Sequence, residues 1–181
     1  MLVEILDDYE AMSNRAAEVV IDQIRRKPDS TIGFATGSTP KGLYDRLIEA
    51  HKTRGLDFSK PTPFNLDQYV GLPPSHDQSY AHYLWPNLFD HVNVDPSKIH
   101  IPHGMADDID EHCRWYERRI EEAGGIDLQI LGIGANGHIA FNEPGSSLGS
   151  RTRIKTLTSK TVEDNARFFD DPDRVPEYAL T

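Results

Sequence analysis

The chain has 181 residues, 38% hydrophobic and 27% charged. That length and balance describe one compact globular domain with a single core, leave no room for a second full domain and argue against disorder. A formal net charge of −10 excludes a protein that gains affinity by neutralising nucleic-acid phosphates, which takes clustered Lys and Arg. It does not exclude one that holds a small anion with local N–H groups and one or two basic side chains.

No stretch approaches the roughly 18 apolar residues of a membrane span, so no membrane partner is expected. Residues 1–10 lack the pattern of a secretory leader, and the single Cys113 cannot form an internal disulfide. A cytoplasmic location is the expectation.

From 8 to 26, Met12, Ala16, Val19, Val20 and Ile24 recur near helical spacing until Lys27-Pro28 interrupts them. Residues 31–35 read as a short buried strand, 36–40 as a loop, and 41–52 as a helix with Leu43, Leu47 and Ile48 inward. The order repeats with a strand near 62–66, a helix near 78–89, a strand near 98–101, a helix near 107–123 and the clearest strand at 126–133. Short apolar strands alternating with helices imply right-handed crossovers. The expected fold is a three-layer αβα, Rossmann-like domain over 1–181 with a mostly parallel sheet. Residues 145–149 must be loop, and 177–181 read as a strand just beginning, from which a missing C-terminal part is expected.

Ligands of such sheets bind beyond the carboxyl ends of the strands, so the loops there carry the candidate chemistry. The first, Thr36-Gly37-Ser38-Thr39-Pro40, offers hydroxyls and N–H groups at a positive helix end and suits a phosphate; a simple capped turn is the other reading. It lacks the Gly-Lys-Ser/Thr of a nucleotide loop. In the second, Asp67 falls just past a strand, either as a catalytic carboxylate or as a turn cap.

The third loop runs from Leu131 to Gly145 and sets Asn136, His138 and Glu143 among glycines. His138 can exchange protons near neutral pH, and Glu143 could orient its ring. A structural histidine is the alternative, and a dinucleotide site is a weak competitor because the third glycine is absent. The remaining histidines, His51, His76, His82, His91, His100, His103 and His112, lack metal-ligand spacing, and no metal site is expected. With one cysteine the chain cannot supply the Cys-x-x-Cys of zinc nucleobase deaminases.

Taken together, the segments 35–40, 65–72, 134–144 and 150–153 closely resemble the glucosamine-6-phosphate deaminase family in order and spacing, from the first helix to Thr181. The 6-phosphogluconolactonases share a Gly-x-Asp-Gly-His loop, but theirs does not continue into Ile-Ala-Phe-Asn-Glu-Pro. The resemblance implies conversion of glucosamine 6-phosphate to fructose 6-phosphate and ammonia in amino-sugar catabolism, without a cofactor. It implies Asp67 as the base for enolisation, with His138 opening the pyranose ring assisted by Glu143 and Asn136, a position where members carry Asp or Asn.

It further implies Gly37, Ser38, Thr39 and Arg167 as phosphate holders, with a family lysine falling beyond residue 181. Ser146, Arg153, Lys155 and Thr156 match residues that bind N-acetylglucosamine 6-phosphate as activator in hexameric members, so a homo-oligomer is expected. The rival readings are a catalytically silent sugar-phosphate-binding remnant and, by fold analogy, a lactone hydrolase.

Overall fold

A computed structural model describes residues 2–134, 136–171 and 174–181; Ala135, part of the third loop's motif, lies outside them. In chain order the elements are α1 (Tyr9–Arg26), β1 (Thr31–Phe34), α2 (Lys41–Arg54), β2 (Thr62–Asn65), β3 (Gln68–Tyr69), α3 (Tyr80–Asn87), α4 (Ile109–Glu122), β4 (Leu128–Gln129), β5 (Ile154–Thr156), α5 (Ser159–Ala166) and β6 (Tyr178–Leu180). Among the described residues no helix is long and apolar enough to cross a membrane.

The helix ends follow local chemistry. Asp8 caps α1 by accepting from the Ala11 N–H at 2.7 Å, and Asp108 caps α4 by accepting from Glu111 at 2.8 Å. α2 stops at Gly55, whose φ of 65° is the left-handed cap conformation. The N-terminus of α2 is different: Pro40 makes no side-chain cap bond and the first turn has no acidic residue. There the Gly42 N–H is taken by Tyr9 Oη at 2.9 Å, from outside the helix.

The central sheet has the order β2-β1-β4, all parallel. The Asp127 carboxylate fixes the start of β4 on β1 by accepting from the Thr31 N–H at 2.9 Å while pairing with Lys27 at 2.7 Å. Ile32, Phe34, Leu43, Tyr44, Leu47, Ala50, Leu84 and Leu88 are all nearly inaccessible and form the main core with Val20, Ile21 and Ile24 of α1. The fold is thus the expected Rossmann-like α/β arrangement.

Three elements differ from the sequence expectation. The strand expected at 98–101 is a single parallel bridge from His100 to Phe64, since Pro102 has no N–H to continue the ladder. The strand expected at 126–133 pairs only around Leu128–Gln129, with the Ile130 N–H reaching Gly33 at 2.9 Å; beyond Phe34 the β1 chain turns away and offers no partner. The helix expected at 78–89 is confined to Tyr80–Asn87, because Ser79 is extended and Pro86 breaks the backbone ladder.

Residues 177–181, read as the start of a strand, supply β6 (Tyr178–Leu180); the second, antiparallel sheet it joins, order β3-β6-β5, was not expected. β6 runs through its middle, with Ala179 and Leu180 fully buried. Around it Tyr69, Leu72, Phe141 and Leu157 form a smaller cluster packed by Tyr80, Val162 and Phe169.

β3 is held from behind by Gly104, whose carbonyl accepts from the Gly71 N–H at 2.9 Å. A Cβ at Gly104 would lie 1.9 Å from the Tyr69 carbonyl oxygen. Gly104→Ala is therefore expected to lower stability by about 1–3 kcal/mol in urea unfolding, as backbone overpacking does. An unchanged midpoint would show that β3 has slack.

Candidate active site

A cavity of about 540 Å³ opens at the carboxyl ends of the parallel strands, where Ala35 to Thr39, Leu66, Asp67 and Gly132 to Gly134 meet α3 and the end of α5. Six sequence-predicted residues line it together: Gly37, Ser38, Thr39, Asp67, His138 and Arg167. Asn136 and Glu143 stand behind this lining. None of Ser146, Arg153, Lys155 and Thr156 belongs to it.

Asp67 follows β2 and is 6% exposed. Its backbone is pinned by the Asn65 side-chain amide, which donates to the Asp67 carbonyl at 2.6 Å, and the Tyr116 hydroxyl bonds the Asn65 carbonyl at 2.7 Å. The Gln68 side-chain carbonyl accepts from the N–H groups of Tyr69 at 2.9 Å and Tyr80 at 3.3 Å, locking β3 to the start of α3. Burial alone pushes the Asp67 carboxyl up to about 8.

His138 is set by close backbone approach. The Gly134 N–H donates to the His138 carbonyl at 2.9 Å, and a Cβ on Gly134 would fall 2.3 Å from the imidazole. Asn136 Oδ1 accepts from the His138 N–H at 3.1 Å and lies 2.7 Å from His138 Nδ1. An oxygen acceptor there requires the proton on Nδ1 of the neutral ring, so Nε2 is the bare nitrogen.

Glu143, expected to orient that ring, instead gives Oε1 to the Thr158 N–H at 3.3 Å and to the Thr158 and Thr161 hydroxyls. Three donors from two residues at the start of α5 thus saturate Oε1. Burial acts to raise its pKa, but the hydrogen bonds from Thr161 and Thr158 and the nearby His138 together hold it below the ordinary value.

The first loop is braced from outside. Tyr83 donates to the Gly37 carbonyl, while Tyr9 Oη lies 2.9 Å from the Thr39 carbonyl and accepts from the Gly42 N–H at 2.9 Å. Gly37 itself has a φ of 96°, a turn only glycine makes without strain. The Ser38 and Thr39 side-chain hydroxyls have no partner among the described residues.

Sequence reasoning missed Lys41, the first residue of α2, which also lines the cavity. Neither Lys41 nor Arg167 is paired with a carboxylate among the described residues; Arg167 lies 4.6 Å over the Phe168 ring. Of the lining acids, Asp164 is paired with Lys160 at 2.6 Å, while Asp77 lies 3.1 Å from His76 Nδ1, the atom that accepts from the Gln78 N–H. The signal for Lys41 was its position at an uncapped helix start. Helix α5 was missed as well, although Thr158, which accepts from the Thr161 N–H at 3.2 Å, is an ordinary N-cap.

Of the activator candidates, Arg153 donates to Asn142 Oδ1 at 2.9 Å, Lys155 and Thr156 lie on β5, and Ser146 Oγ is buried without a partner.

A parallel sheet with a buried carboxyl, a tautomer-fixed histidine and two unpaired cations around one strand-end cavity defines an α/β protein built for acid–base work on a small anion. The family model for glucosamine-6-phosphate isomerases/6-phosphogluconolactonase matches residues 7–165. A glucosamine-6-phosphate deaminase of Thermoanaerobacter sp. (strain X514) is 52% identical over 181 residues, all of this chain and 72% of that relative. One of Clostridium botulinum (strain Hall) is 51% identical, over 74% of its length. The solved structure of a monomeric glucosamine-6-phosphate deaminase superposes with a TM-score of 0.98 at 46% identity, covering all of this chain and 75% of that one. A 6-phosphogluconolactonase from Thermotoga maritima shares the fold, with a TM-score of 0.76 at 20% identity, over 99% of this chain and 76% of that one. The chain belongs to the glucosamine-6-phosphate deaminase family.

Asp67 carries a cost to the fold. Its folded pKa, about 8, lies above the unfolded value of 3.8, so the folded state binds the extra proton. Stability is fully present below pH about 4 and declines as pH rises towards 8. Asp67→Asn removes this slope, and its melting point should exceed that of the parent by more at pH 8 than at pH 5. Parallel melting curves at the two pH values would show the carboxyl ionised in the folded state throughout.

Proposed function

We propose that this chain, acting as a single domain, isomerises and deaminates glucosamine 6-phosphate, giving fructose 6-phosphate and ammonia. The observation that carries the reading is one cavity with a buried, proton-retaining carboxyl and a histidine alongside two unpaired cations and two free hydroxyls.

The phosphate sits against Ser38, Thr39 and the start of α2, with Gly37 shaping the turn and Arg167 and Lys41 supplying charge. His138 Nε2 takes the proton of the anomeric hydroxyl and delivers one to the ring oxygen, opening the pyranose to an aldehyde. Asn136 holds the ring in that tautomer. Asp67 then removes the proton on carbon 2 and returns it to carbon 1; the resulting imine at carbon 2 is hydrolysed by water, and ammonia leaves. The substrate's own ammonium group is the cation the Asp67 pocket lacks, and its arrival favours the ionised base.

Activation by N-acetylglucosamine 6-phosphate at Ser146, Arg153, Lys155 and Thr156 is a separate proposal, supported by the buried, unpartnered Ser146 hydroxyl. Assembly into a homo-oligomer comes from the likeness to hexameric members. The 46% identical structure, described as monomeric, favours a single copy.

Ammonia release from glucosamine 6-phosphate tests the reading directly. Asp67→Asn should lower turnover by about a hundredfold or more, because a positioned base contributes that much. Near-normal turnover would sink the assignment, and binding of fructose 6-phosphate without ammonia release would leave a sugar-phosphate-binding protein.

Arg167→Ala and Lys41→Ala should each raise KM roughly tenfold with a smaller effect on kcat, since each loses a charge-assisted contact to phosphate. Competition by unphosphorylated glucosamine as strong as that of the phosphate ester would show the anion site to be misplaced.

A further inference from the structure

Glu143 stands where the loop bearing His138 meets the first turn of α5, and its two oxygens are treated differently. Oε1 accepts from the Thr158 N–H at 3.3 Å, from the Thr158 hydroxyl at 3.1 Å and from the Thr161 hydroxyl; the two hydroxyls lie 3.1 Å apart. Oε2 is buried and has no partner among the described residues. The residue is only 5% exposed.

Capping does not account for this. The N-cap bond of α5, from the Thr161 N–H to Thr158 Oγ1, is complete without Glu143. A helix of eight residues is marginal by itself and takes its position from what it is tied to. The anion at its N-terminus is one tie. At its other end Arg167, Phe168 and Phe169 follow directly and line the cavity.

We propose that Thr158 and Thr161 are positioning residues whose hydroxyls clamp Glu143 and thereby register the His138 loop against the helix that carries Arg167. One buried carboxylate then sets the distance between the acid–base end of the cavity and its anion-holding end. With Oε1 saturated, Oε2 is the atom left for the chemistry at His138. The inference rests on the reading of the cavity as a deaminase site.

The charged groups around the clamp are few. His138 comes from the loop; Lys160 and Asp164 of α5 pair with each other, and Arg153 is bonded to Asn142. A titration of Glu143 therefore reports mainly the hydroxyls and His138.

The test uses the whole chain with 13C-labelled glutamate carboxyls, the Glu143 resonance being the one lost in Glu143→Gln. Thr161→Val keeps the shape and removes the hydroxyl; Thr161→Ser keeps the hydroxyl. In Thr161→Val the Glu143 midpoint should rise by about one pH unit. Its affinity for fructose 6-phosphate, read by calorimetry, should fall about tenfold because Arg167 loses register. Thr161→Ser should restore both. An unmoved midpoint and affinity in Thr161→Val, or equal changes in the serine variant, overturn the clamp. A parent chain that does not bind fructose 6-phosphate overturns the deaminase reading instead, and the Glu143 midpoint alone then decides the clamp.

Discussion

The exclusion of water from Asp67 is the condition on which the cavity rests, and much of the molecule serves it. A carboxyl 6% exposed with burial as its only perturbation is a destabilising group in a folded chain above its unfolded pKa. It persists because its backbone is fixed by the Asn65 amide, by the Tyr116 hydroxyl on the Asn65 carbonyl, and by the Gln68 side chain bridging to α3. Aromatic rings complete the seal, with Tyr80 stacked on Phe141 and Tyr69 tilted against it at 5.0 Å. Phe141 belongs to the loop of His138. The same ring contacts thus bring the loop of His138 up to the loop of Asp67.

Most of the main sheet was legible in the sequence because its strands are short apolar runs between clear helical periods. The segments around β1, α2 and β2 follow their periodicity closely, and the loops beyond the strands meet around one cavity. The second sheet was not legible. Its strands are two or three residues long, and β6 supplies pairing to residues more than a hundred positions away in β3. Such pairing depends on tertiary contacts that no local pattern announces.

Within the cavity the sequence distinguished residue types better than partners. Asn136, His138 and Glu143 were rightly grouped, but spacing could not tell that the amide rather than the carboxylate would take the imidazole Nδ1. That outcome depends on α5 presenting Thr158 and Thr161, whose hydroxyls compete for Glu143 more effectively than the ring does. Lys41 was missed for the opposite reason: an exposed lysine opening a helix looks like any solvated charge until the missing cap at Pro40 is seen.

The charge distribution reconciles an acidic protein with an anionic substrate. A net charge of −10 spread over the surface repels phosphate at long range. That field is screened within about 8–10 Å at physiological ionic strength, whereas contacts at a concave site act at hydrogen-bond range. What matters there is which charges are already spent. Asp164 has Lys160, while Lys41 and Arg167 have no carboxylate among the described residues. Lys41 and Arg167 together outweigh Asp77, so the local balance is positive although the global one is negative, and the helix dipole of α2 adds to it in the same direction. Asp67, its carboxyl pushed up to about 8 by burial, adds little opposing charge until a cation enters beside it. A ligand carrying both a phosphate and an ammonium group satisfies both ends at once, which neither a simple phosphate ester nor a simple amine can do.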